Sequence, residues 1–200
     1  MNEPQSTLPK VKFPKLKFTV IKKEGYCYHN YNVGDELILD DFTHPPKGFC
    51  LGLAKSSFPC AYALTFGAQF AFMENTRSIT TTCPDDAKLS FKIEVLDEAG
   101  QVEVRPQEAK PKGPDPKMME IEVEEVRGHC VYGYKQGDTF QVKGLKTPDG
   151  FCGAAYSTLF PVLFALNFGS KFSFEKDPDA KTHTACPDGG HIKFKVRRLR

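Results

Sequence analysis

Apolar and polar residues alternate with a period of two in Leu89–Leu96 (LSFKIEVL), and Lys17–Lys23 (KFTVIKK) is rich in β-forming residues. The first has the spacing of a strand that buries one face, and the second also reads as a strand. Glu36–Leu39 is a shorter segment of the same kind, entered through a Gly34-Asp35 turn. Residues 41–48 contain His44-Pro45-Pro46 and can be neither helix nor central strand, because proline fixes φ and lacks a donor. Leu51–Phe66 is rich in alanine and leucine. It is expected to form a short helical piece and then a main helix beginning near Pro59, with Gly67 as its left-handed stop. Phe70 and Phe72 alternate as in a short strand, and Asn75–Thr82 has the polarity of a loop.

The same pattern then returns. Gly25-Tyr26-Cys27 recurs as Gly128-His129-Cys130, Gly34-Asp35 as Gly137-Asp138, and Gly48-Phe49-Cys50 as Gly150-Phe151-Cys152. Ala63-Leu64-Thr65-Phe66-Gly67 recurs as Ala165-Leu166-Asn167-Phe168-Gly169, and Cys83-Pro84-Asp85 as Cys186-Pro187-Asp188. The chain is therefore a tandem duplication of a unit of roughly 80 residues. It divides into a mobile tail (1–15), a first repeat (16–96), a linker rich in proline and charge (97–117) and a second repeat (118–200). In the second repeat Pro161–Phe168 is apolar all round, the composition of a buried helix. Strands, helix and strands, written twice, predict an α+β fold: two small, mainly antiparallel sheets, each with one buried helix. Units of this size are small for self-sufficient cores, so the repeats should pack together about a pseudo-two-fold axis, an intramolecular dimer expected to be monomeric as a chain.

Composition narrows the function classes. The formal charge is +2 over 200 residues, too small to point to nucleic acid or to an anionic membrane surface. The longest apolar run, Leu159–Phe168, is about half of what spans a bilayer. Met1–Lys15 is polar, carries three prolines and has no apolar core of a secretory signal. The seven cysteines are an odd number, which does not suit a closed disulfide framework. Reduced thiols in a cytoplasm are the expectation.

The duplication sorts the candidate chemistry, since a residue kept in both copies serves the unit. Cys27 pairs with Cys130, Cys50 with Cys152 and Cys83 with Cys186, whereas Cys60 faces Val162 and no histidine recurs. Three thiolates from three loops could hold zinc or an iron–sulfur cluster, with Asp85 or Asp188 as a fourth donor. Cys50 and Cys152 precede a helix, whose N-terminal partial charge favours thiolate and thiol reactivity or redox. Equally, cysteine is a small apolar residue that fills core space. Asp35 and Asp138 fit turn positions, and Asp85 and Asp188 fit a cap after Cys-Pro. The other function classes left open are a non-catalytic ligand- or protein-binding module with structural cysteines, and an enzyme with a pocket at the repeat interface.

The Gly-Phe-Cys motif, the Phe-Gly step after the helix and Cys-Pro-Asp ahead of a Phe-Lys strand together resemble an uncharacterised family of small bacterial and archaeal proteins, usually of one unit. The resemblance covers Lys17–Leu96 and Glu120–Leu199. It implies a shared fold unit and a shared cysteine pattern. Family members often carry tryptophans near the first two motifs and a paired cysteine at the last. This chain has no tryptophan, and Thr82 and Ala185 precede the single cysteines.

Overall fold

The computed structural model describes residues 12–108 and 115–199. Residues 1–11 of the expected tail and 109–114 of the linker lie outside them. The first repeat contains β1 (Leu16–Lys23), β2 (Glu36–Leu39), α1 (Leu51–Thr65), β3 (Ser78–Thr82) and β4 (Leu89–Val95). The second contains β5 (Met118–Val126), β6 (Thr139–Lys143), α2 (Gly153–Asn167), β7 (Ala180–Ala185) and β8 (Ile192–Arg198). Each repeat forms one four-stranded antiparallel sheet, in the orders β2-β1-β4-β3 and β6-β5-β8-β7. Both break register at the same place, between Val20 and Lys22 in one repeat and between Val123 and Glu125 in the other. The α+β two-repeat architecture is thus the one the hydrophobic pattern predicts.

The alternation explains which face is buried. Leu16, Phe18 and Val20 of β1 and Leu89, Phe91, Ile93 and Val95 of β4 point into the core with Leu53 and Leu64 of α1. Burying each such side chain contributes about 1.5–3 kcal/mol. The opposite face of the second sheet carries a cross-strand ion ladder, Glu120–Arg197 at 2.6 Å, Glu122–Lys195 at 3.3 Å and Glu125–Lys193 at 3.1 Å.

Three local expectations are corrected. Leu51–Thr65 is one continuous helix with Pro59 inside it, not two pieces. An interior proline removes the hydrogen bond to the carbonyl four residues back and crowds that carbonyl, and Pro59 and Pro161 lie on the side of each helix that opens into a groove. Ser78–Thr82, expected as part of a loop, is strand β3, whose polar outward side masks its pairing with β4. Phe70 and Phe72 are not a strand. They stand in the turns after α1 and reach the other repeat, with Phe70 4.8 Å and Phe72 6.0 Å from Phe168, ring to ring.

The reciprocal contacts place Phe66 5.0 Å from Phe172 and 5.7 Å from Phe174. The backbone repeats the exchange: Gln69 N–H donates to Phe168 O at 3.0 Å and Lys171 N–H to Phe66 O at 2.9 Å. Equivalent residues serve as donor and acceptor in both directions, which is the signature of a two-fold interface. Gly67 and Gly169, at φ 87° and 86°, turn the chain out of each helix so that the bonds can form.

The linker's first half is also held. Asn75 Nδ2 donates to Glu103 O at 2.9 Å, Thr76 N–H to Arg105 O at 2.8 Å and Gln107 N–H to Glu74 O at 3.1 Å. Arg77 is buried, donates to Ala68 O at 2.8 Å and pairs with Glu103 at 3.2 Å. Burial pulls its guanidinium below the ordinary value, and Glu103 opposes that. Proline and charge count against such ordering in a local reading, because the partners lie about 30 residues away, beyond any sequence window.

Two stability measurements follow. Glu103→Ala leaves the Arg77 charge buried without its carboxylate and should lower unfolding free energy by on the order of 3 kcal/mol in denaturant titration. An unchanged midpoint would show that the linker is not anchored by this pair. Burial pushes the Cys60 thiol from 9.0 up to about 11. Burial, with a smaller effect from the Glu175 charge, pushes the Tyr62 hydroxyl from 10.0 up to about 12. Groups raised in the folded state ionise first in the unfolded chain, so their contribution is complete below pH ~9 and is lost as pH rises toward ~12. Cys60→Val, which copies Val162, should remove the thiol's share of that alkaline loss.

Candidate functional site

In each repeat a cavity opens at one end of the sheet, beneath the loop before the helix. Cys27 and Cys130 come from the loops after β1 and β5, Cys50 and Cys152 are the N-caps of α1 and α2, and Cys83 and Cys186 follow β3 and β7. All three cysteines of the first repeat line one cavity of about 130 Å³, and all three of the second line one of about 170 Å³. These six thiols are free and half-buried. The duplication filter therefore selects residues that converge. It does not select a ready metal centre: among the described residues no group of three His, Cys, Asp or Glu side chains is placed to hold a metal ion.

The local devices that bring the thiols together are visible in both copies. The Cys50 N–H donates to the Tyr31 hydroxyl at 3.2 Å and the Cys152 N–H to the Tyr134 hydroxyl at 2.7 Å. No cysteine side chain caps the helix it begins, so each sulfur is left free for the cavity. The Tyr31 hydroxyl in turn donates to Gly48 O at 3.3 Å. Burial raises the Tyr31 and Tyr134 hydroxyls above their ordinary value; the cysteine N–H opposes this, and negative charge on Cys50 and Cys27, or on Cys152 and Cys130, would push them further. In the first repeat only, Gly52 leaves room beside the Cys-Pro turn, since a Cβ there would stand 3.3 Å from Pro84 Cγ and 3.7 Å from Cys50 Sγ; the second repeat carries Ala154 at the equivalent place.

The last cysteine of each triad is held by its own turn. Cys83 Sγ accepts from the Asp85 N–H at 3.4 Å, and Cys186 Sγ donates to Asp188 O at 3.3 Å. Asp85 pairs with Lys88 at 3.1 Å. Asp35 and Asp138 accept from the N–H groups of Asn32 and Lys135 at 2.8 and 2.7 Å, the turn role expected of them. Cys60, in the helix, lies outside both cavities.

Two elements of the site escape a motif reading. Tyr31 and Tyr134 each precede Gly-Asp by three residues, a shared signal that the cysteines overshadow. Lys88 and His191 occupy equivalent places and both line their cavities, but they differ in residue type and so fail a filter based on identity.

The chain matches no family model, no curated protein and no solved structure. No helix among the described residues is long and apolar enough to cross a membrane.

A second opening lies between the repeats. It is a groove of about 620 Å³ along the first halves of α1 and α2, walled by Phe58, Pro59, Phe160 and Pro161, with Lys55 and Ser157 at equivalent places.

The tyrosine clamp is testable by itself. Tyr134→Phe keeps the ring against Phe151 and Phe194 but removes the acceptor of the Cys152 N–H. It should lower stability by about 1 kcal/mol. Tyr31→Phe, at the longer bond, should cost less. Denaturant midpoints identical to that of the parent protein would rule out the clamp.

Proposed function

We propose that each repeat is a thiol pocket, in which cysteines gathered from three loops act as nucleophiles or redox groups toward a small, largely uncharged ligand. The observation that carries this reading is the convergence of Cys27, Cys50 and Cys83, and of Cys130, Cys152 and Cys186, on one cavity per repeat. Pure space-filling explains a small apolar residue at any one of these places, but it does not explain three of them facing the same opening twice. Cys50 and Cys152 sit where a helix N-terminus stabilises negative charge. The cavity dimensions resemble the ~150 Å³ engineered apolar cavity that accepts a benzene ring.

A second reading rests on the groove between α1 and α2. Its aromatic walls and size suit a ligand-binding module, or an enzyme at the repeat interface, in which the cysteines are structural.

Alkylation of the native protein with iodoacetamide, resolved residue by residue in a mass spectrometer, separates the two. The thiol reading expects at least one cysteine of each triad to label far ahead of Cys60, whose buried thiol is the internal slow control. Labelling of all six at the pace of Cys60 would make them packing residues and leave the groove as the functional surface. Stoichiometric zinc that protects a whole triad would replace the thiol reading with a soft-metal site.

A further inference from the structure

The two pockets are built alike but are not chemically alike, and the difference centres on His191. Its ring lines the second cavity together with Cys130, Cys152 and Cys186. His191 Nδ1 lies 3.0 Å from His129 O. A carbonyl can only accept, so Nδ1 carries the hydrogen and the neutral ring keeps its lone pair at Nε2. Two glycines make room for the imidazole. A Cβ on Gly128 would fall 2.7 Å from Cδ2, and one on Gly189 would fall 3.1 Å from Nε2.

The first repeat keeps only part of this arrangement. Lys88 stands in place of His191, and a Cβ on Gly25, the partner of Gly128, would fall 3.8 Å from Lys88 Cδ, an ordinary contact. Asp86 and Ala87 stand where the second repeat has Gly189 and Gly190, in the same left-handed conformation, at φ 52° and 52° against 57° and 68°. Lys88 pairs with Asp85 and offers no lone pair while charged. The two copies thus differ at three neighbouring residues, and in the second the difference lets an imidazole enter a thiol-lined cavity.

We infer that the second repeat holds a thiol–imidazole site for small, neutral, apolar electrophiles, with His191 Nε2 as the proton acceptor for Cys130 or Cys152, and that the first repeat lacks this assistance. The inference rests on the thiol-pocket reading. Cys186 commits its S–H to the Asp188 carbonyl. Cys130 follows the residue whose carbonyl holds the ring, and Cys152 begins α2. Besides the cysteines, the other titratable groups around His191 in this cavity are the His129 imidazole, the Tyr132 and Tyr134 hydroxyls and the Asp188 carboxylate. Exposed Val131 and Tyr132 give the entrance an apolar rim, which favours an uncharged ligand. With iodoacetamide the step balances simply. Nε2 takes the thiol proton, sulfur bonds to the methylene carbon, the C–I bond breaks and iodide leaves, and the imidazolium returns its proton to water.

The test compares residue-resolved iodoacetamide rates across pH in the parent protein, in His191→Gln and in the double variant Asp86→Gly with Lys88→His. In the parent, Cys130 or Cys152 should outpace Cys27 and Cys50, with a limb in the pH profile where protonation of the imidazole removes the acceptor. His191→Gln, whose amide can still donate to His129 O, should slow that thiol by roughly a hundredfold and erase the limb. The double variant should bring the limb to the first pocket, a gain that misfolding cannot mimic. If the second-repeat thiols react quickly and His191→Gln changes neither rate nor profile, this inference is wrong while the thiol pocket stands. If no pocket thiol reacts faster than Cys60, both fall.

Discussion

The exchange of backbone hydrogen bonds just beyond the two helices is the constraint on which the rest of this molecule depends. Gln69 bonds to Phe168 and Lys171 to Phe66, and with those bonds come Phe70 and Phe72 on one side and Phe172 and Phe174 on the other. Each sheet can cover only one side of its helix. The other side, apolar all round in Pro161–Phe168, must be covered by the other repeat or stand in water. The buried Ser170 hydroxyl, donating to Ala63 O at 3.0 Å, adds a bond that the first repeat's Ala68 cannot return.

That interface also sets where the chemistry can be. The C-terminal ends of α1 and α2 are occupied by it, so the N-terminal ends, which begin at Cys50 and Cys152, face outward toward the loops. Turn residues then do the positioning: in both repeats a tyrosine hydroxyl holds the cysteine N–H group. The cavities are consequences of a rigid frame with loops at one end, the arrangement in which binding residues commonly sit.

Duplication followed by divergence is visible at several charged positions as well as in the pockets. The first repeat buries Arg77 against a linker carboxylate, Glu103. The second places Asp179 at the equivalent point and supplies the cations from within the repeat, Arg198 and Lys171. Arg198 also donates to Leu166 O at 3.0 Å, as Arg77 does to Ala68 O at 2.8 Å. The basic end of the chain is therefore partly structural. A buried charge must be paired, and either sign of the pair satisfies that requirement.

By itself the sequence determined the repeat, the order of its main strands, the helix and its glycine stop, and the three recurrent cysteines. Each of these is written in local periodicity or in identity between copies, and both survive without knowledge of distant partners. Only the tertiary structure decided that Pro59 lies inside a continuous helix, that Ser78–Thr82 is a strand, that Phe70 and Phe72 serve the opposite repeat and that residues 97–108 are anchored. For Phe70, Phe72 and residues 97–108 the deciding partners lie far along the chain, and for Ser78–Thr82 the partner is the next strand, so the free energy that settles these conformations is absent from the segment's own pattern. The same holds for the site. Identity between copies found the cysteines, but Lys88 and His191 differ in type and share only a place, and a place exists only once the chain has folded.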